Sequence, residues 1–242
     1  MTTSIKTLAI LGALVAVAGL GILVYLGVFT SGRSETTTKT DSSTRTDVTR
    51  EEFKIVAFGD SLTAGLGVDL KDSYPSILET ILNTDPKYRA LNRKFLVINM
   101  GVSGETTTAG LERVDFVLAQ KPDLILFGLG ANDMLRSTNP DLVEKNLTTI
   151  VEKLTKSGTP VIILGMQSAA SNGFIYKRNF DGIYPTLSKT YNLPLVPFFL
   201  AGVALETSLN TADGIHPNRA GYEQIINENL LPILELTIEE II

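Results

Sequence analysis

Five short apolar runs set the frame of this chain, at residues 53–58, 95–99, 124–129, 161–165 and 195–198. Apart from Lys54 and Asn99 each is apolar throughout, and they are rich in β-branched or aromatic residues, which suits a strand buried on both faces rather than one with a solvated side. Helical patterns fill the gaps, at about 74–83, 106–120, 141–156 and 175–191, with a last one from about Asn218 towards the C-terminal region. Pro140 before Asp141, Gly158 after the third helix and Asn192-Leu193-Pro194 after the fourth are start and stop signals that agree with this division. Alternation of strand and helix implies a parallel sheet with right-handed crossovers and helices on both faces. The expected fold is therefore α/β, a three-layer α/β/α sandwich around a flavodoxin-like sheet of five parallel strands. In such a sheet, ligands bind beyond the carboxyl ends of the strands.

Ahead of the first run, residues 8–29 carry no charge and consist mainly of Leu, Ala, Val, Ile and Gly. That is enough helix to cross a hydrocarbon core of roughly 30 Å. A cleaved signal peptide is the competing reading, with Ala16-Val17-Ala18 as its small-x-small site. The apolar run continues past that site through Leu20, Ile22, Leu23 and Leu26, which favours an uncleaved transmembrane anchor over a secreted protein or a buried core helix. Lys6 stands before the segment and Arg33, Lys39 and Arg45 after it, a count that leans against export. A very short N-terminal tail, here residues 1–7, usually stays in the cytoplasm, so the expectation is a single-pass anchor with an extracytoplasmic domain. Residues 30–51 are mostly Thr, Ser, Asp and Arg, too polar to offset the entropy of ordering, and read as a flexible linker. The remaining span, 52–242, is one domain.

Composition removes whole classes of chemistry. The net charge of −5 offers no basic surface for nucleic acid. With no cysteine there is no disulfide, thiolate metal site or cysteine nucleophile. The single histidine, His216, rules out a two-histidine metal site and must serve any mechanism that needs an imidazole base.

Where, then, is the chemistry? The first apolar run stops at Gly59 and hands over to Asp60-Ser61, a turn that could expose the Ser61 hydroxyl while holding it rigidly. Either residue could equally be a simple helix cap. Asp213 and His216 lie three residues apart in a loop shaped by Gly214 and Pro217. That spacing lets a carboxylate accept from Nδ1 while Nε2 faces a serine hydroxyl, though an Asp-Gly turn leading into a helix is also ordinary turn chemistry. Acyl transfer further needs donors aimed at a developing oxyanion. Asn132 after the third run and Gly104 after the second are placed to supply them. Taken alone, Asn132-Asp133 could be an Asx turn and Gly104 a linker into the next helix.

Together these segments resemble the GDSL, or SGNH, hydrolases. Gly59-Asp60-Ser61-Leu62, Gly104 in Ser-Gly-Glu-Thr, Gly130-Ala131-Asn132-Asp133 and Asp213-Gly214-Ile215-His216-Pro217 look like the family's four blocks in order. The resemblance covers roughly 53–235 and points to the bacterial thioesterase I, arylesterase and lysophospholipase L1 group, with Ile183-Tyr184-Pro185 and Pro194-Leu195-Val196-Pro197 in support. It implies that Ser61 is the nucleophile, His216 the base and acid, and Asp213 its orienting carboxylate, with Ser61 N–H, Gly104 N–H and Asn132 as the oxyanion hole. Glu105 stands where an aspartate is commoner and Ala131 where a second glycine is commoner. The expected activity is hydrolysis of acyl esters or thioesters through an acyl-Ser61 intermediate, by a monomer without metal or cofactor. A carbohydrate O-acetyl esterase and an inactive anchored binding domain are the alternatives. Met134, Leu135 and Phe174 are expected to line an acyl groove, unless they belong to the core.

Overall fold

The computed structural model describes residues 50–242. The expected anchor at 8–29 and nearly all of the expected linker lie outside this span. Among the described residues no helix is long and apolar enough to cross a membrane.

All five expected strands form, as β1 (Glu51–Gly59), β2 (Arg93–Gly101), β3 (Leu124–Gly128), β4 (Val161–Leu164) and β5 (Leu195–Val196). They make one parallel sheet in the order β2-β1-β3-β4-β5. Ile55, Val56, Ala57 and Phe58 of β1 and Leu124 to Leu126 of β3 are wholly buried, as continuous apolar runs require in a sheet covered on both faces. β5 is shorter than its apolar run because Pro197 has no N–H to give to the ladder.

The helices are α1 (Ser61–Ala64), α2 (Tyr74–Thr84), α3 (Pro86–Arg89), α4 (Thr107–Glu112), α5 (Val114–Leu118), α6 (Ala131–Leu135), α7 (Pro140–Lys156), α8 (Phe174–Asp181), α9 (Ile183–Tyr191), α10 (Arg219–Gln224) and α11 (Leu231–Ile241). They pack in two groups: α2 against α10 and β2, and α4, α5, α8 and α9 against α7. The β1-to-β2 crossover runs one way across the sheet and the later ones run the other. With right-handed connections, the two groups fall on opposite faces.

Three helical patterns that read as continuous are interrupted. The 106–120 pattern breaks at Arg113, whose backbone leaves helical geometry (φ −113°, ψ 9°). The 175–191 pattern breaks at Gly182, three residues before Pro185, which cannot bond back to the carbonyl of Asp181. The last helix carries a π segment, Ile225–Leu230, just ahead of Pro232, which likewise leaves the Glu228 carbonyl without its helical partner.

Strand order reverses at β1, so the crevice at the carboxyl ends of β1 and β3 is the natural ligand position in this topology. Strands β1, β2 and β3 end level with one another, Gly59 beside Gly101 and Gly128. A side chain at Gly59 would sit 2.6 Å from the Gly128 carbonyl oxygen and 2.2 Å from Thr63 Oγ1. The glycine lets α1 fold back tightly over the strand ends.

Candidate active site

At the end of β1, Asp60 caps α1 by accepting the Leu62 N–H at 3.0 Å. The capping role is therefore taken by Asp60, and the Ser61 hydroxyl is left for another partner. That partner is His216, whose Nε2 lies 2.8 Å from Ser61 Oγ although 155 residues separate the two. On the other side of the ring, His216 Nδ1 lies 2.6 Å from Asp213 Oδ2. The remaining oxygen, Asp213 Oδ1, accepts from Thr211 Oγ1 at 2.9 Å, Ile215 N–H at 3.0 Å and His216 N–H at 3.1 Å. These bonds, the Ile215 N–H foremost and the His216 ring next, hold the Asp213 carboxyl well below the usual carboxylate range. An ionised carboxylate only accepts, so Nδ1 must carry the proton and Nε2 is free to accept from the serine hydroxyl.

The loop that presents Asp213 and His216 is itself fastened. Thr211 N–H donates to the His216 carbonyl at 2.8 Å, and Asn210 pairs with Pro217 in an antiparallel bridge. The Asn210 amide in turn donates to the carbonyls of Val203 and Glu206.

Gly104 and Asn132 border the same strand ends. Gly104 has φ +80°, a left-handed turn that glycine adopts at little cost. Among the described residues, neither its N–H nor that of Ser61 has an intramolecular acceptor. The Gly104 carbonyl accepts from Arg136 at 3.0 Å. Asn132 lies in the first turn of α6 and is half-buried, and its amide makes no well-formed hydrogen bond among the described residues, although it is near enough to Asp60 to oppose the rise in that residue's pKa. That pKa is pushed up to about 6, chiefly by burial.

Of the residues expected to line an acyl groove, Leu135 and Phe174 are exposed, whereas Met134 is buried and packs in the core. Asn172 donates to the Met134 carbonyl at 2.9 Å, which ties the segment leading into α8 to α6. No group of three His, Cys, Asp or Glu residues suited to a metal ion occurs among the described residues.

The sequence profile of the GDSL-like lipase/acylhydrolase family matches residues 57–224, across all four blocks around this site. The chain belongs to that family. It is accordingly an ester-bond hydrolase. It is 34% identical over 182 residues to Esterase TesA of Pseudomonas aeruginosa, covering 75% of this chain and 87% of that protein. It is 33% identical over 166 residues to thioesterase 1/protease 1/lysophospholipase L1 of Escherichia coli K12, covering 68% and 76%. Among solved structures, the SGNH-hydrolase family esterase AlinE4 superposes with a TM-score of 0.63 at 41% identity, covering 77% of this chain and 97% of that one.

Within this hydrolase, three side chains that sequence reasoning passed over set the positions of the others. Arg113, at the break between α4 and α5, pairs with buried Glu105 and donates to the carbonyls of Gly59 at 3.1 Å and Met100 at 2.9 Å. Asp133 and Thr107 bond to each other across α6 and α4. One signal was available: Arg113 adjoins the helical stripe formed by Gly110, Val114 and Val117, where a charge needs a buried partner. Glu105, the departure from the commoner aspartate, is that partner.

Proposed function

We propose that this enzyme is a serine esterase acting on acyl esters or thioesters through an acyl-Ser61 intermediate. The continuous bond from Ser61 through His216 to Asp213 carries the reading. Ser61 Oγ attacks the acyl carbonyl carbon as its proton passes to His216 Nε2. The carbonyl oxygen gains the negative charge and is held by Ser61 N–H, Gly104 N–H and the Asn132 amide. Donors of this kind are worth roughly 3–4 kcal/mol of barrier each. Collapse breaks the bond to the leaving oxygen or sulfur, which takes the proton from His216. Water then repeats the sequence on the acyl-serine and restores the hydroxyl.

The names of the relatives, esterase and thioesterase 1/lysophospholipase L1, favour lipid-derived acyl substrates over acetylated carbohydrate. The uncharged segment at 8–29 supports a membrane anchor with the catalytic domain outside the cytoplasm. Fluorophosphonate labelling of the full chain tests the nucleophile directly. Label on Ser61 that disappears in Ser61→Ala, together with loss of p-nitrophenyl ester hydrolysis, is the expected result. Equal hydrolysis by the Ser61→Ala protein would overturn the mechanism. A p-nitrophenyl series from acetyl to long acyl chains decides the acyl class.

A further inference from the structure

Five exposed apolar side chains, Val102, Leu135, Phe174, Ile175 and Ile215, lie in segments around the rim of the sheet end that bears Ser61, and hydrogen bonds link those segments. Ile215 precedes His216, the partner of Ser61. Val102, also exposed, donates its N–H to the Gly59 carbonyl two residues before Ser61. The Gly104 carbonyl accepts from Arg136, which follows exposed Leu135. Asn172 bonds the Met134 carbonyl, and two residues on come Phe174 and Ile175, 79% and 67% exposed. An acyl groove accounts for side chains that face inward to a substrate. It does not account for Phe174 and Ile175 both standing out in water at the start of α8.

Two cations on this rim have no carboxylate partner. Glu105 is bound by Arg113 and Asp181 by Lys177, whereas Arg136 and Arg178 make no ion pair among the described residues, and Asp213, hydrogen-bonded to the neutral His216 ring, is the one ionised carboxylate set against them. On a protein of net charge −5, this end therefore presents apolar side chains beside two guanidinium groups that carry no ion pair among the described residues. Aromatic and aliphatic side chains flanked by arginine are the pattern that enters the interface of an anionic bilayer.

We propose that the Ser61 end of the domain docks on the surface of a bilayer containing anionic phospholipid, with Phe174 and Ile175 in the headgroup region, so that lipid acyl esters reach Ser61 from the membrane. The inference rests on the lipid-esterase and membrane-anchor readings above.

Because the chain has no cysteine, one can be introduced and labelled uniquely. The full chain, carrying an environment-sensitive fluorophore at Ile175→Cys or at Phe116→Cys, is reconstituted into phosphatidylethanolamine/phosphatidylglycerol vesicles with or without nitroxide-labelled acyl chains. Phe116 is exposed on α5 next to Asp115, whose partner Lys153 lies near the C-terminal end of α7, towards the opposite edge of the sheet. The expected result is a blue-shifted emission and at least twofold nitroxide quenching at 175, with neither at 116. Equal quenching at both positions or none at either overturns the docking surface. So does a blue shift at 175 without quenching, which would mean that a second copy or residues 8–29 cover the rim. Failure of the chain to float with the vesicles removes anchor and docking together, whereas floating without quenching at 175 removes docking alone. Fluorophosphonate labelling of Ser61 in the same sample reports separately on folding and on the hydrolase reading.

Discussion

Asp133 accepts both donors of Thr107, the backbone N–H at 2.8 Å and the hydroxyl at 2.9 Å, with both residues buried. Asn146 of α7 adds a third link by donating to Thr107 Oγ1 at 3.1 Å. Asn132 and Gly104 arise from different strand ends, and this knot fixes the chain beside one to the chain beside the other. Thr107→Val keeps the backbone bond and removes the hydroxyl. It should cost about 1–3 kcal/mol, because buried Asp133 loses one of its two donors. If the knot positions the oxyanion donors, kcat falls several-fold with KM little changed. Denaturant unfolding and steady-state kinetics on the same variant separate the two effects.

Asn132 is the one side chain among the three proposed oxyanion donors, so it can be removed without altering the backbone. Asn132→Ala should lower kcat roughly 10²- to 10³-fold. The reactivity of Ser61 towards a fluorophosphonate should fall as well, since phosphonylation also develops charge on oxygen. An unchanged kcat would remove Asn132 from the mechanism.

Asp213→Asn tests the tautomer. An amide at this position can donate as well as accept, so it no longer obliges Nδ1 to carry the proton, and Nε2 ceases to be a dependable acceptor for Ser61. A fall in kcat of roughly 10⁴-fold is expected while the fold is retained. The Asp213 carboxyl stays ionised well below the ordinary carboxylate range. Any loss of activity between pH 7 and pH 5 must therefore come from another group, and a rate–pH profile of wild type should show no limb attributable to Asp213 in that interval.

Much of this organisation is legible in the sequence, and the reasons are specific. Continuous apolar runs such as 124–129 can hardly be anything but buried strands, and His216 stood out because the chain has no other imidazole. Arg113 and Asp133 were not legible in the same way. Their partners, Glu105 and the two carbonyls for one and Thr107 for the other, come from separate elements, and local pattern carries no record of that pairing. The breaks at Gly182 and at the π segment before Pro232 are intermediate cases. Each proline was visible, but a proline marks a missing hydrogen bond without saying how the helix accommodates it.

Asp60 should give the protein an unusual pH dependence of stability. Burial raises its pKa from 3.8 to about 6, against the opposing pull of the Leu62 N–H and of His216. Between these two values the folded state binds a proton that the unfolded state has released. Stability from this group is therefore greatest below about pH 4, declines as pH rises towards 6, and stays low above it. The span corresponds to roughly 3 kcal/mol. Asp60→Asn keeps a side-chain oxygen to accept from Leu62 and cannot ionise. The difference in unfolding free energy between Asp60→Asn and wild type should thus grow in favour of the variant from pH 4 to pH 7. A difference independent of pH would show that Asp60 is solvated or paired in solution.

Arg113 offers the sharpest test of how the strand ends are held. Its guanidinium lies 4.6 Å from the centroid of the Phe58 ring and satisfies the carbonyls of Gly59 and Met100 while neutralising Glu105. Arg113→Met fills similar space but leaves a buried carboxylate with no counter-charge, and should cost about 3–5 kcal/mol. In a domain of this size that corresponds to a fall in Tm of roughly 10 °C. Adding Glu105→Gln removes the stranded charge, so the double variant should recover a large part of the loss. If the two changes are instead additive, Glu105 and Arg113 act independently and the clamp does not exist. Recovery of stability without recovery of kcat would assign the pair a second task, holding the turn at Gly104 at the distance from Ser61 that the oxyanion requires.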